Sequence, residues 1–282
     1  EEDGKGFAFA LRFSIAVGVL CVPLASALLG EHLLLWVARH VTERPSRLAL
    51  LAFWLALMVA VLLHYPPRNI KLPRTILRKG YHLLAFALFA PGQIFENETL
   101  RLAYAASFAL LVTLELVRAS RLGRVSRALH NFIKDQIDDR DGGPLVLTHI
   151  YLLLGCAIPA WLHPRPSTAS ALTPLAPLAG VLILGIGDTA ASVWGTLAGR
   201  RRWVKGATRG KTVEGTAAGA ACTIAAAVVC LAVTGRISAL VGATLLVIPA
   251  TVGTCMLEAV TDQIDNLVLP IWYLAMLHAL SW

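Results

Sequence analysis

One aspartate lies in the middle of a long apolar segment, and its position constrains the fold and the chemistry of this chain more than any other feature. Asp188 follows Gly185-Ile-Gly and precedes Thr-Ala-Ala-Ser, roughly midway along the apolar run 176–197. A charge inside a membrane-spanning helix costs at least ~2.5–3.5 kcal/mol on insertion scales, so such residues usually have a function. Flanking glycines let a backbone or a ligand approach closely. A helix that served only as an anchor would not need this combination.

The composition predicts a membrane protein. Hydrophobic residues make up 57% of the 282 residues and charged residues only 15%, with a mean hydropathy of +0.68. Soluble domains are about one quarter charged. We therefore predict an all-α, polytopic helical membrane protein with about nine transmembrane helices, and a surface helix over 31–41. The predicted spans are 8–29, 47–64, 81–95, 101–118, 145–162, 176–197, 214–234, 238–257 and 264–281.

Basic residues are concentrated in three loops. Loops 65–80, 118–140 and 200–211 contain five, six and six of the 25 Lys and Arg residues, and the formal net charge is +8. With the predicted spans all three loops lie on one side, which the positive-inside rule makes cytosolic. Headgroup contacts explain the first two loops as well as a function does. For 200–211 we favour a function, and nucleic-acid binding is excluded because no motif for it is present.

The segment Lys211-Thr-Val-Glu-Gly-Thr216 opens the span after this third basic loop. A helix N-terminus presents unpaired N–H groups and a partial positive charge, which favour phosphate. Glu214 fits two roles equally well, a partner for the helix dipole or a metal ligand. A P-loop is excluded because the preceding strand is missing. The neighbouring cations and hydroxyls are Arg202, Arg209, Lys211, Thr212 and Thr216.

Glycine pairs with G-x-x-x-G spacing occur on both sides of the basic loop. Gly195 and Gly199 form one pair, and Gly215 and Gly219 form the other. This spacing lets helices pack closely in lipid, and we interpret the four glycines mainly as packing positions. Ser192 lies one helical turn after Asp188 and shares its face.

Three acids recur at helical spacing near the C-terminus. Glu258, Asp262 and Asp265 stand at i, i+4 and i+7, so they share one helix face. A solvated face is one interpretation. The other is a magnesium site in which a few carboxylates act together with substrate phosphates. His82, which follows Arg78-Lys79 at the start of the third span, has the features of an ordinary core histidine. The five cysteines form no C-x-x-C pair and predict no zinc site.

Five motifs occur together in this chain. They are Asp135-Gln-Ile-Asp-Asp-Arg-Asp-Gly-Gly-Pro-Leu-Val-Leu-Thr-His-Ile-Tyr-Leu-Leu-Leu-Gly155, Pro159-Ala-Trp-Leu-His-Pro-Arg-Pro166, Gly187-Asp-Thr-Ala-Ala-Ser192, Lys211-Thr-Val-Glu-Gly-Thr216 and Glu258-Ala-Val-Thr-Asp-Gln-Ile-Asp-Asn-Leu-Val-Leu-Pro270. Over roughly residues 68–281 the chain resembles the dolichol kinase family. The third and fourth motifs are similar to those of a wider set of CTP-using enzymes, which includes phytol kinases, CTP-dependent diacylglycerol kinases and phosphatidate cytidylyltransferases. The first motif is the more specific one.

The resemblance implies transfer of the γ-phosphoryl group of CTP to the hydroxyl of dolichol, giving dolichyl phosphate and CDP for protein glycosylation. It implies the endoplasmic reticulum membrane and a nucleotide site that faces the cytosol. Residues 65–282 would form the catalytic domain. Residues 1–64 would be N-terminal spans of a longer protein, since the start Glu1-Glu-Asp-Gly-Lys-Gly6 is typical of a cut inside one.

The resemblance also assigns roles to residues. We expect Asp188, Lys211, Glu214 and Asp265 to be catalytic. Magnesium would be bound by Asp188 with one or more of Glu214, Glu258 and Asp265. Lys211 and Arg209 would hold the β and γ phosphates, and Asp265 or Asp139 would orient the acceptor hydroxyl or take its proton. The expected CTP-binding residues are Gly187, Thr189, Ser192, Arg202, Arg209, Lys211, Thr212, Gly215, Thr216, Asp139 and Asp141.

Three alternatives remain open. The acceptor could be another lipid alcohol, such as phytol or diacylglycerol. A cytidylyltransferase would release pyrophosphate, but the H-G-G-x-x-D-R-x-D element associated with those enzymes is absent. A transporter that uses Asp188 is the least favoured, because many transporter folds contain inverted repeats and this sequence contains none.

Overall fold

The structure is a computed structural model that describes residues 2–64, 74–121, 123–133, 145–163, 174–203, 210–234, 240–261 and 264–280. These residues are helical almost throughout and include no β-strand beyond one isolated antiparallel bridge between Arg202 and Thr212. The predicted all-α class is therefore confirmed for this part of the chain. The predicted surface helix 31–41 is also present as a helix, and none of its side chains is buried.

Eleven α-helices, a short 3₁₀ turn and a π-helical segment follow one another along the described residues. They are α1 Glu2–Leu29, α2 Leu33–Thr42, α3 Pro45–His64, α4 Arg74–Phe95, α5 Asn97–Ala119, α6 Gly123–Ile133, α7 Thr148–Leu162, the 3₁₀ turn Ala176–Leu178, the π segment Val181–Asp188, α8 Thr189–Ala198, α9 Val213–Val233, α10 Leu240–Val260 and α11 Asp265–Ala279.

Each predicted span coincides with a helix, but only six segments of the described residues are long and apolar enough to cross a membrane. They are α1, α3, α5, α9, α10 and the continuous π segment with α8. The remaining three are α4, which begins with basic residues, and α7 and α11, which have 15 residues each. A span needs about 20 apolar residues, so the predicted count of about nine is not confirmed.

The chain divides into two compact units, one formed by residues 1–56 and 105–150 and the other by 57–104 and 151–282. In the first unit α1 packs against α2 and α6. The same unit contains a buried ion pair on α5 between Glu115 and Arg118. The predicted domain boundary at residue 65 stays a prediction.

The second unit is built around the π segment. Leu182, Ile183 and Leu184 are completely buried there, and the segment contacts α4, α9 and α11. Helices α8 and α9 cross at glycines, because a Cβ on Gly215 would lie 2.6 Å from the carbonyl oxygen of Ala191. A Cβ on Gly215 would also lie 3.1 Å from the Cα of Gly195. The predicted packing role of these glycines is confirmed.

Helix α4 begins earlier than predicted. The sequence analysis placed residues 65–80 in a loop and began the span at residue 81, whereas α4 starts at Arg74. Arg78 and Lys79 therefore lie within the helix. Unbranched basic side chains form helices readily, so charge alone does not end a helix.

Candidate functional site

Asp188 is the last residue of the π segment, and the structure buries it. Its relative exposure is 3%, so its charge needs partners from the protein. Segments of π-helix are rare and are frequent at functional sites, because the wider turn changes the direction in which side chains point. Here the wide turns end at the acid that the sequence analysis ranked first.

Two basic side chains of α4 contact Asp188. The Lys79 ammonium donates to Asp188 Oδ2, and His82 Nδ1 lies 3.1 Å from the same oxygen. Lys79 and His82 are three residues apart and therefore share a helix face. Both contacts therefore engage the same oxygen, Oδ2. Asp188 Oδ1 makes no hydrogen bond or ion pair within the described ranges.

Close packing holds α4 beside Asp188. A Cβ on Gly185 would lie 2.6 Å from the Cβ of Phe86 and 3.2 Å from the carbonyl oxygen of His82. Thr189 Oγ1 donates a hydrogen bond of 3.4 Å to the carbonyl oxygen of Lys79. Glycine at 185 is thus required for the approach of the two helices, and the approach positions Lys79 and His82.

Lys211 joins three segments of the same unit. Its Nζ donates to the carbonyl oxygen of Glu258 at 2.7 Å and lies 3.3 Å from Glu258 Oε1. It also lies 3.4 Å from Asp265 Oδ2. Lys211 precedes α9, Glu258 is near the end of α10, and Asp265 begins α11. The predicted acids of the C-terminal motif are therefore brought to one lysine.

The Asp188 and Lys211 clusters are neighbours. Glu258 is 7% exposed and interacts electrostatically with Asp188, Lys211, Asp265 and Lys79. Three carboxylates in such a buried region repel one another, and the two ammonium groups offset that repulsion. The second unit thus contains a compact charged site formed by Asp188, Glu258, Asp265, Lys79 and Lys211, with His82 at its edge. We call this group the acid–lysine cluster.

Glu214 has a different set of partners. Its carboxylate accepts hydrogen bonds of 3.1 to 3.2 Å from the backbone N–H groups of Arg200 and Arg201. Backbone bonds from Trp203 N to Lys211 O and from Val213 N to Arg201 O pair the two described ends of the basic loop. Glu214 therefore holds these paired ends together, and its predicted metal and catalytic roles stay predictions.

The predicted nucleotide-binding hydroxyls and glycines mostly make local contacts. Thr212 caps α9 by accepting from Gly215 N at 3.1 Å. Thr216 Oγ1 accepts from Trp203 Nε1 at 2.9 Å. Gly187 faces Thr223 of α9. Ser192 is half-buried one turn beyond Asp188, and Arg202 is exposed. Arg209, Asp139 and Asp141 lie outside the described residues, as does Asp262.

Sequence reasoning did not include Lys79 and His82 in the site. Lys79 was assigned to a topogenic basic loop and His82 to the core. The spacing Lys79-x-x-His82 at the start of an apolar run was available as a signal, because it places a lysine and a histidine on one face of a helix. The buried Asp188 required such a partner.

The cluster fits a magnesium ion only with help from a substrate. The described residues contain no group of three or more His, Cys, Asp and Glu side chains that could hold a metal. Magnesium is commonly bound by one or two carboxylates together with substrate phosphates and water. Asp188 Oδ1 and the carboxylates of Glu258 and Asp265 provide oxygens of that kind. The donor chemistry therefore fits magnesium bound with a polyphosphate.

Comparison with known proteins identifies the family. A family model described as dolichol kinase matches residues 4–249. The chain belongs to the dolichol kinase family. The match begins well before residue 68, so the resemblance also covers the N-terminal helices that the motifs left out. No solved structure matches the chain.

Curated dolichol kinases are similar to most of this chain. The *Arabidopsis thaliana* protein dolichol kinase EVAN is 38% identical over 254 residues, which are 88% of this chain and 43% of the relative. *Homo sapiens* dolichol kinase is 37% identical over 279 residues, 94% of this chain and 51% of the relative. *Saccharomyces cerevisiae* dolichol kinase is 27% identical over 215 residues. The chain spans about half the length of the first relatives.

Proposed function

We propose that this chain carries the catalytic region of a CTP-dependent dolichol kinase. It would transfer the γ-phosphoryl group of CTP to the dolichol hydroxyl, giving dolichyl phosphate and CDP for protein glycosylation. Membership of the dolichol kinase family supports the reaction class. The acid–lysine cluster supports a site in this region, since it gathers charges of both signs from five segments in one unit.

The chemistry of phosphoryl transfer matches this cluster. The reaction depends on positioning and on charge neutralisation rather than on a covalent intermediate with the protein. The acceptor oxygen bonds to the γ-phosphorus, the bond between that phosphorus and the β,γ-bridging oxygen breaks, and CDP leaves. The acceptor proton passes to a base. Asp265 and Asp139 are the two candidates for that base.

Magnesium, when bound with the nucleotide, would neutralise charge that develops on the phosphate oxygens. Asp188 would bind it through Oδ1, because Oδ2 is already engaged by Lys79 and His82. Glu258 and Asp265 would contribute further oxygens. These assignments rest on the burial of Asp188 and Glu258 and on the shared contact of Glu258 and Asp265 with Lys211.

The acceptor would reach the site from the lipid. Helices of the same unit are apolar outside the cluster, and α9 and α10 are long enough to cross a membrane. A polyisoprenoid could lie along such helices with its hydroxyl near the charged residues. We propose the endoplasmic reticulum membrane, with the nucleotide site on the cytosolic side, because the basic loop 200–211 adjoins it.

A direct assay tests the function. The purified chain is incubated with magnesium, CTP carrying a labelled γ-phosphate, and dolichol, phytol or diacylglycerol. We expect label in dolichyl phosphate and release of CDP. Release of pyrophosphate would indicate a cytidylyltransferase instead, and preferential labelling of phytol or diacylglycerol would assign another acceptor. Asp265→Asn and Asp139→Asn variants would identify the base by the larger loss of turnover.

A further inference from the structure

We propose that Lys79, rather than Lys211, supplies the ammonium group that binds the phosphate oxygens of the nucleotide. This inference rests on the proposed function, because it names the residue that contacts the donor in that reaction. The sequence motif draws attention to Lys211, which lies in the segment Lys211-Thr-Val-Glu-Gly-Thr216 beside a helix N-terminus. The contacts of the two lysines instead favour Lys79.

The hydrogen-bonding capacity of Lys211 is already used. An ammonium group has three N–H donors. Three oxygens surround Lys211 Nζ, namely the Glu258 carbonyl oxygen at 2.7 Å, Glu258 Oε1 at 3.3 Å and Asp265 Oδ2 at 3.4 Å. Binding a phosphate through Lys211 would mean giving up one of these contacts. Lys211 therefore serves to hold the start of α9 against the end of α10 and the start of α11.

Lys79 has capacity left. Its ammonium contacts one oxygen in the described residues, Asp188 Oδ2. Two of its three N–H donors have no protein acceptor in that part of the chain. The side chain is nevertheless only 16% exposed. Unsatisfied donors in a largely buried position cost free energy unless a ligand or water accepts from them, so this position suits an anionic ligand.

The backbone at Lys79 is held by contacts with neighbouring segments. Its carbonyl accepts from Thr189 Oγ1, and α4 approaches the π segment closely at Gly185. On the carboxylate that Lys79 contacts, Asp188 Oδ1 has no partner among the described residues. A cation donor and a carboxylate oxygen thus lie side by side, which is the pairing that a phosphate and its magnesium ion require.

The competing explanation is that Lys79 serves only as the counter-ion of Asp188. A charge-balanced pair of variants separates the two roles. Lys79→Met leaves Asp188 buried without its counter-ion, which destabilises that variant whether or not Lys79 binds phosphate. The double variant Lys79→Met with Asp188→Asn removes both charges, and Asp188→Asn alone keeps Lys79.

The experiment measures binding by the purified full chain with EDTA present, so that no metal contributes. The probes are CDP and inorganic pyrophosphate, followed by calorimetry. We expect the double variant to bind both about tenfold or more weakly than Asp188→Asn, which corresponds to one charge-assisted hydrogen bond. Lys79→Arg should recover part of the affinity, because it restores the charge.

Arg39→Met is the matched control for lost charge. Arg39 contacts Glu31 on the first unit, and its side chain is 67% exposed. We expect this variant to bind both probes as the unaltered chain does. Lys211→Met should weaken binding less than Lys79→Met and should lower the unfolding temperature, because it leaves Glu258 and Asp265 without their shared cation.

Equal affinity of the double variant and Asp188→Asn would overturn the proposal, as would absence of CDP and pyrophosphate binding by the unaltered chain. A larger loss of affinity in Lys211→Met than in Lys79→Met would also overturn it. These results are distinguishable from failure of the proposed function. Lys79-dependent binding of CDP without transfer to any lipid alcohol would keep this inference and reject the kinase reaction. Transfer to dolichol without Lys79-dependent binding would do the reverse.

Discussion

The protein contains two buried acid–base pairs that differ in how completely their hydrogen bonds are satisfied. In the first unit Arg118 donates to both carboxylate oxygens of Glu115, from Nε at 2.7 Å and from Nη2 at 2.6 Å. The backbone N–H of Val146 donates to the same carboxylate. In the second unit Lys79 and His82 both approach a single oxygen of Asp188. Both oxygens of Glu115 are therefore engaged, whereas one oxygen of Asp188 has no partner among the described residues.

Under the proposed function, this difference would separate a structural pair from a functional one. Glu115 and Arg118 are each about 8% exposed, and their bidentate geometry is the strongest form of ion pair. Glu115 also holds the backbone at Val146, which lies just before α7 in the chain. Asp188 is buried as deeply but is contacted from one side. Burial alone therefore does not distinguish the two acids, whereas the contacts that each carboxylate makes within the described residues do.

The largest effect on stability should come from breaking the saturated pair. Arg118→Met leaves Glu115 buried without its cation, and removing one partner of a buried pair costs about 3–5 kcal/mol. Thermal unfolding in detergent should show a strong decrease in the midpoint. Replacing both residues, as Glu115→Gln with Arg118→Met, should recover part of it. A midpoint that Arg118→Met leaves unchanged would contradict a structural role for the pair.

Asp188→Asn should affect turnover strongly and stability weakly. We expect turnover in the CTP-dependent assay to fall on the order of 10²–10³-fold, the usual cost of losing a well-placed electrostatic contact. The unfolding midpoint should change less than in Arg118→Met, because the asparagine oxygen can still accept from Lys79. If stability fell as far as in Arg118→Met while turnover persisted, the two pairs would be equivalent and the comparison would fail.

Packing around the site can be tested at matched glycines. Gly215→Ala places a Cβ 2.6 Å from the backbone oxygen of Ala191, so α8 and α9 must separate, at a cost of about 1–3 kcal/mol. Gly242→Ala on α10 meets nothing within 4 Å and serves as the control. We expect a lower unfolding midpoint in the first variant and an unchanged or slightly higher one in the second. Equal midpoints would show that the glycine crossing is not tight.

The smallest effect concerns another group whose hydrogen bonds are incompletely satisfied. His163 follows α7, and its Nδ1 has no hydrogen-bond partner among the described residues. Burial lowers the pKa of His163, and the nearby His278 and Arg101 lower it further. Because the folded pKa lies below the unfolded one, this group stabilises the fold fully above pH 6.5 and less as the pH falls.

His163→Gln should therefore reduce the decrease in unfolding midpoint between pH 7.5 and pH 5.5. A midpoint measured by thermal unfolding at the two pH values tests this. The same pH dependence in the variant and in the unaltered chain would assign the titration to another group.

Much of the fold could be predicted because hydropathy reports the membrane environment directly. Each apolar run coincides with a helix, and the glycine spacing correctly indicated the contact between α8 and α9. The number of spans was harder to predict. Helices such as α7 are apolar but short, and length decides whether a helix can cross a bilayer.

The candidate site shows where sequence reasoning stops. Burial cost identified Asp188, because that cost depends on the residue and its apolar neighbours alone. Its partners could not be found that way, since Lys79 is 109 positions away in the chain. The predicted single helix face for Glu258 and Asp265 is wrong, because Glu258 lies near the end of α10 and Asp265 begins α11. Their shared contact with Lys211 depends instead on how α9, α10 and α11 pack, which the spacing does not report.

The π-helical stretch that ends at Asp188 makes the direction of this carboxylate depend on the number of residues in the stretch as well as on side-chain identity. An α-helix advances about 100° per residue. Deleting a single residue between Val181 and Gly187 would let the stretch relax into ordinary α-helix and would turn Asp188 away from α4 by about that angle. Every side chain of the unit could then be intact while Asp188 no longer faced Lys79 and His82, so the length of this stretch matters to the candidate site as much as the acid itself does.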